Sequence, residues 1–160
     1  MKTVPARIAW SSAMPKAATA GFIAGVLALH WVLVLLVFPA CGAVAVWLYH
    51  RDPTAPRVTT GGGFRIGMVA GFFASATNTL VAVAQYLANK EEMLKEVARE
   101  VEIAMARNPN PQAESIIRQF LTPQGLLVLL AMGTVFLMFF ALVLAGSGGA
   151  LGASLGRKDK

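Results

Sequence analysis

Charge is what this chain has least of. Only 14% of its 160 residues are Asp, Glu, Lys or Arg, against roughly 25% in soluble domains. Acid is scarcer still: Asp52 and Asp159 are the only aspartates, and every glutamate falls within residues 91–114. A carboxylate pair for acid–base work therefore has no place in the apolar part of the chain. The single cysteine, Cys41, excludes an intrachain disulfide, a cysteine zinc ribbon and a CxxC redox pair. Set in an apolar run without a basic neighbour, it reads as inert packing. P-loop, HExxH, GxSxG and dinucleotide fingerprints are all missing, so the expectation is a protein that is not an enzyme.

In place of charge there are long apolar runs. Hydrophobic residues make up 56% of the chain, and its mean hydropathy is +0.62. The net charge of +6 does not point to nucleic acid, because the basic residues sit at the edges of apolar runs, where orientation in a bilayer explains them. The expected fold class is an all-α integral membrane protein. It has four transmembrane helices arranged as two helical hairpins, the second extended outside the membrane.

The organising stretch is Gly67 to Arg107. Its first half, to Ala88, is apolar; its second, from Asn89, is charged. With no Gly or Pro between them, they read as one helix of about 60 Å at ~1.5 Å per residue, twice a bilayer core. Asn108-Pro109-Asn110-Pro111 ends it. Asn110 is then a good N-cap and Pro111 a good first residue for a return helix. Leu94, Val97, Val101 and Ala104 would face Ile116, Ile117, Phe120 and Leu121 across an αα-hairpin.

The remaining boundaries follow. Residues 1–16 are a basic arm with Lys2, Arg7 and Lys16, where Ser11 or Ser12 caps a short turn. Residues 17–50 are the first transmembrane hairpin. Phe38-Pro39-Ala40-Cys41 imitates a lipobox, but Phe and Pro suit it poorly, so the segment reads as an anchor, not a cleaved signal. The 33 uncharged residues 17–49 are too many for one span of ~20 and barely enough for two. One reading is a single helix kinked at Pro39; the other is a hairpin turning between about His30 and Val37. Residues 51–65 are a Pro- and Gly-rich loop in which Thr59 or Thr60 caps the long helix. Residues 66–156 are the second transmembrane hairpin, with an extramembrane hairpin at 89–122 that stands upright or bends at Thr122-Pro123. Residues 157–160 are a basic tail.

Charge chooses between the readings of 17–50. With four spans, the arm, the 51–65 loop with Arg51, Arg57 and Arg65, and the tail with Arg157, Lys158 and Lys160 share one side. The other receives 89–122, where acid and base nearly balance. That is a positive-inside pattern, and the expectation is a multi-pass protein of a cytoplasmic (inner) membrane with both termini cytoplasmic.

Small residues are the strongest local signal. Gly21 and Gly25 form a GxxxG on the first span. Gly67 and Gly71 lead a face on the third that continues through Ser75, Asn78, Ala82 and Gln85. Ala141, Ala145, Gly149 and Ala153 line the fourth, broadened by Gly148, Gly152 and Gly156. Within lipid, helices associate by close packing that small residues permit. A hairpin centred on 108–111 would set Gly67 and Gly71 near Gly152 and Gly148. The plain reading is packing within this chain; the further one is a face for a second subunit. The polar Ser75, Asn78 and Gln85 read as helix–helix glue before they read as an ion or substrate site, since no charged residue accompanies them.

Gly21-Phe-Ile-Ala-Gly25 echoes Gly67-Met-Val-Ala-Gly71, and Cys41–Arg51 echoes Gly148–Arg157, which suggests two duplicated hairpins. The run Val46-Trp-Leu-Tyr-His-Arg51, the run from Gly62 to Phe72 and the Gly-rich close at 148–157 resemble a group of small bacterial four-helix membrane proteins of acidobacterial type. Many members carry an N-terminal zinc ribbon, which this chain lacks. The resemblance implies the four-helix topology and no chemistry.

The function expected is that of a non-enzymatic structural or accessory subunit. It would pack through Gly/Ala faces with itself, as a homo-oligomer, or with a larger membrane complex. Its partners are then the lipid bilayer and another membrane protein. In the expected register Leu126 and Leu130 face charged residues 89–93, so together with Leu94, Val97 and Val101 they are the partner-facing candidates. A second reading is a small transporter or channel with Asn78 and Gln85 lining a cavity. A third is haem or a chlorophyll-type pigment on His30 beside Trp31; otherwise neither cofactor nor metal is expected.

Overall fold

The computed structural model describes residues 8–27, 34–107, 117 and 120–156. Every long element among them is a helix: α1 (Trp10–Leu27), α2 (Val34–His50), α3 (Thr60–Arg107) and α4 (Pro123–Leu155). Two of them, α3 and α4, are long and apolar enough to cross a membrane, and α2 is apolar but shorter. The first hairpin's turn, with His30 and Trp31, the 108–111 tip and the 157–160 tail lie outside the described residues. The chain divides into two compact units, one of Met1–Thr79 with Leu137–Lys160 and one of Leu80–Phe136.

In the first unit the helices meet through their smallest residues. The buried positions of α1 are Ala13, Ala17, Ala20, Gly21, Ala24 and Gly25, a stripe at i+3/i+4 spacing. Gly21 and Gly25 lie on Ala70, Phe73, Ala74 and Thr77 of α3, so α1 and α3 run parallel. Gly63, Gly67 and Gly71 lie on Gly149, Ala145 and Ala141, so α3 and α4 run antiparallel. Gly148 meets Pro39, Gly152 meets Ala43 and Gly156 meets His50, so α2 and α4 run parallel, with Gly42 seated on Ala145 and Gly149. The start of α1 bonds to the end of α2 (Ala9 to Tyr49, Ser12 to Asp52), so these two are antiparallel. Around the bundle the order is therefore α1, α2, α4, α3, with like-directed helices side by side.

This order bears on the sequence echoes. One hairpin would map onto the other by a sideways shift, which requires the echoed motifs to touch equivalent partners. They do not: Gly21 faces α3, the other hairpin, whereas Gly67 faces α4, its own. In both places the small residues serve close helix contacts.

Four further expectations change. First, α1 begins at Trp10 within the presumed arm, because Ser12, Lys16 and Ala9 all find partners around residues 49–52; Ser11 and Ser12 lie inside the helix. Second, α3 starts at Thr60. The Thr59 hydroxyl accepts from Gly62 N–H at 3.2 Å, and its carbonyl from Gly63 N–H at 2.8 Å, which is N-cap geometry. Gly61–Gly63, expected as loop, are its first turn, with Gly63 seated on Gly149 and Ala153. Third, the long helix is interrupted at Asn89, whose φ of −129° and ψ of 34° are not helical. Asn competes with the helix through its own side chain, and here it stands where apolar sequence gives way to charged.

Fourth, the register of the second hairpin is not centred on 108–111. Gly67 meets Ala145 and Gly146, not Gly152, and Gly71 meets Ala141, not Gly148. The shift is about two helical turns, which preserves the face. In the second unit, the Tyr86 hydroxyl donates to the Pro123 carbonyl at 3.2 Å, so α4 starts level with Tyr86, on the apolar side of Asn89. Leu126 is then buried, at 6% exposure, and is not left facing charge.

Candidate functional site

One end of the first unit gathers the start of α1, the 51–59 connection and the end of α4, and it concentrates the unit's polar contacts. Asp52 is the hub. Its Oδ2 accepts from Ser12 Oγ at 2.6 Å and Lys16 Nζ at 2.8 Å; its Oδ1 accepts from Thr54 Oγ1 at 2.7 Å and Thr54 N–H at 3.0 Å. Lys16 also donates to Ser12 Oγ at 2.8 Å. Lys16 foremost, then Ser12 and Thr54, hold the Asp52 carboxyl far below the usual carboxylate range. The carboxylate thus spends its charge inside the chain, tying α1 to the connection that follows α2.

Beside it, the fully buried Tyr49 accepts from Ala9 N–H at 3.1 Å and closes the start of α1. The Lys16 ammonium lies 5.8 Å from the Tyr49 ring, and the Arg51 guanidinium 3.8 Å from the Trp47 ring, both within cation–π range. His50 Nε2 is enclosed and has no hydrogen-bond partner. It borders a cleft of about 330 Å³ between Trp47, Asp52, Arg57, Val58 and Gly156. A second, mostly apolar groove of about 540 Å³ runs from Trp47, His50 and Gly156 along Ala43, Val44, Gly152 and Leu155. Sequence reasoning missed this end as a site, because its contacts join residues 36 to 40 positions apart. The available signal was Asp52, a lone acid among arginines.

The residues singled out from sequence distribute as follows. Gly25 admits α3 closely, since a Cβ there would stand 2.6 Å from the Ala74 carbonyl oxygen. On Gly71 it would stand 2.5 Å from the Ala141 carbonyl oxygen and 2.9 Å from Ala145 Cβ. Ala141 and Ala145 are fully buried. Gly148 and Gly149 serve different neighbours, α2 and α3, while Gly152 and Gly156 border the groove and the cleft. Gly42 and Gly63, not singled out beforehand, make contacts as close as these.

Ser75 is buried, and its hydroxyl donates to its own helix at Phe72; Thr77 and Thr79 likewise donate to Phe73 and Ser75. Asn78 is half-buried in the first unit, and Gln85 is exposed in the second. Leu94, Val97, Val101 and Leu130 are half-buried. Cys41 is buried on α2. His30 lies outside the described residues, and among those described no cluster of metal-binding side chains occurs.

No family model, no curated protein and no solved structure matches this chain.

Proposed function

We propose that this chain is a small multi-pass membrane protein, its four helices all spanning the bilayer, which works by packing rather than by catalysis, as a structural or accessory subunit. The observation that carries the reading is the inverted distribution of side-chain size. The close helix contacts of the first unit are made mainly by Ala and Gly, with Phe38, Val46, Tyr49 and Ile66 the largest side chains inside, while Phe22, Ile23, Leu36, Phe72 and Phe139 point outward, each at least half exposed. Water would penalise that surface. Lipid does not, and in lipid it is small interior residues that let helices associate.

Lys16, Arg51, Arg57 and Arg65 belong to the stretches that meet at one end of this unit, which supports a cytoplasmic location for that end. In the second unit α4 presents Leu127, Val128, Met132, Val135 and Phe136 with substantial exposure, and an added Cβ on Gly133 would meet nothing within 4 Å. That face supports contact with a second membrane subunit or copy. The resemblance to small bacterial four-helix proteins belongs to the same proposal. The transporter reading has less support, because the hydroxyls of Ser75, Thr77 and Thr79 are bonded to their own helix.

The test is expression in a bacterial membrane, alkaline carbonate extraction, and reporters fused at each terminus. Retention in the membrane with both termini inside is expected; release into the carbonate supernatant overturns the membrane reading. Cross-linking in native membranes is expected to capture a higher-mass species, and a strictly monomeric protein would end the subunit reading.

A further inference from the structure

The two hollows at the basic end share Trp47, His50 and Gly156, so they form one continuous feature with a polar limb and an apolar limb. The polar limb carries Arg57, which has no ion-pair partner among the described residues; the ion pair formed there is Lys16 with Asp52. Asp52 also lines this limb, but its charge is compensated by Lys16 at 2.8 Å and its oxygens are occupied by four donors. His50 borders the same limb with its Nδ1 edge toward Gly156, while its Nε2 is enclosed within the chain. The apolar limb exists because Gly152 lacks a side chain against Ala43, 3.2 Å from where its Cβ would be. Trp47, with Arg51 over its ring, stands between the two limbs, and Trp is the residue that favours the headgroup level of a bilayer.

We propose that this feature is a binding site for an anionic phospholipid. The headgroup phosphate sits in the polar limb against Arg57, and one acyl chain lies in the apolar limb between α2 and α4. The inference rests on the membrane reading above. A water-soluble phosphate compound would use the polar limb alone; a zwitterionic lipid offers the same phosphate but brings an ammonium that Arg51 and Arg57 would repel.

The experiment uses the full chain purified in mild detergent and native mass spectrometry with added phosphatidylglycerol or phosphatidylcholine. Carbonate extraction, done first, tests the membrane reading separately: a soluble chain fails there, a membrane chain without the site fails only at the lipid step. Selective retention of phosphatidylglycerol is expected. Arg57→Gln should weaken it about tenfold, the effect of losing a charge-assisted contact. Val44→Trp, which fills the apolar limb from an exposed position, should weaken it comparably, and circular dichroism should show both variants folded. Equal retention of the two lipids, or no effect of Arg57→Gln, overturns the proposal. So does full displacement by inorganic phosphate with Val44→Trp silent, which would mark a free-anion site instead.

Discussion

Lys16 and Asp52 lie 36 positions apart and meet at 2.8 Å, fastening the first turns of α1 to the connection that leaves α2. Asp52 is held ionised by this contact and by Ser12 and Thr54, so its pKa in the folded chain is below its ordinary 3.8. The sign follows from linkage. A depressed carboxyl pKa contributes stability that is complete above the ordinary value and is lost as pH falls through it toward the folded value. Thermal unfolding in detergent, followed by circular dichroism from pH 7 to pH 2, should therefore show a loss of midpoint setting in near pH 3.8. In Asp52→Asn the midpoint should be lower at pH 7, and the part of the acid loss due to this residue should be absent.

Gly71 and Gly133 form a matched pair for testing close packing. On Gly71 an added Cβ meets the Ala141 carbonyl oxygen at 2.5 Å and Ala145 Cβ at 2.9 Å; on Gly133 it meets nothing within 4 Å. Gly71→Ala should destabilise by about 1–3 kcal/mol, the usual cost of overfilling a tight contact. Gly133→Ala should be neutral or stabilising by up to ~1 kcal/mol through helix propensity. Denaturant titration in mixed micelles reads both.

Tyr49→Phe removes the acceptor for Ala9 N–H and keeps the ring beneath Lys16. The expected loss is ~0.5–1.5 kcal/mol, the net worth of one hydrogen bond. Faster hydrogen exchange at Ala9 and the first amides of α1, with the rest of the bundle unchanged, is the accompanying signature. Uniform faster exchange would instead mean a general loss of packing.

The register of α3 against α4 predicts a cross-linking pattern. Gly146 lies beneath the Phe64 ring, with an added Cβ 2.7 Å from its Cε2. In a Cys41→Ala background, Phe64→Cys with Gly146→Cys should join through a short bifunctional thiol reagent. Phe73→Cys with Gly146→Cys, the pair demanded by a hairpin centred on 108–111, should not. The reverse result would restore that register.

What could be read in advance followed from what local sequence controls. The helices announce themselves as apolar runs, and the contact faces as Gly and Ala at helical spacing. Thr59 is recognisable as a cap because the residues it serves are its neighbours. Register is different. Gly67 could slide along α4 by two turns and still find a small residue, since Ala141, Ala145, Gly149 and Ala153 repeat every fourth position. The charged flank of α1 misled for a related reason. Lys16 reads as the end of an arm until Asp52 is placed beside it, and no spacing rule connects positions so far apart. Asn89 gave a weaker clue: a short polar residue between an apolar and a charged run tolerates a break without requiring one.

The order of helices around the bundle has a consequence for how the molecule is made. Each hairpin can close its own antiparallel pair first, α1 with α2 and α3 with α4. The parallel contacts, Gly21 and Gly25 on α3 and Pro39 with Gly148, lie on the seam between the halves. Along that seam the described residues are joined covalently only through residues 51–59, the connection that Asp52 and Thr54 brace. On the proposed membrane reading, a bilayer would receive two preformed pieces in sequence, the second docking along the first. The last structural event in building this protein would be the meeting of two bare strips of glycine and alanine.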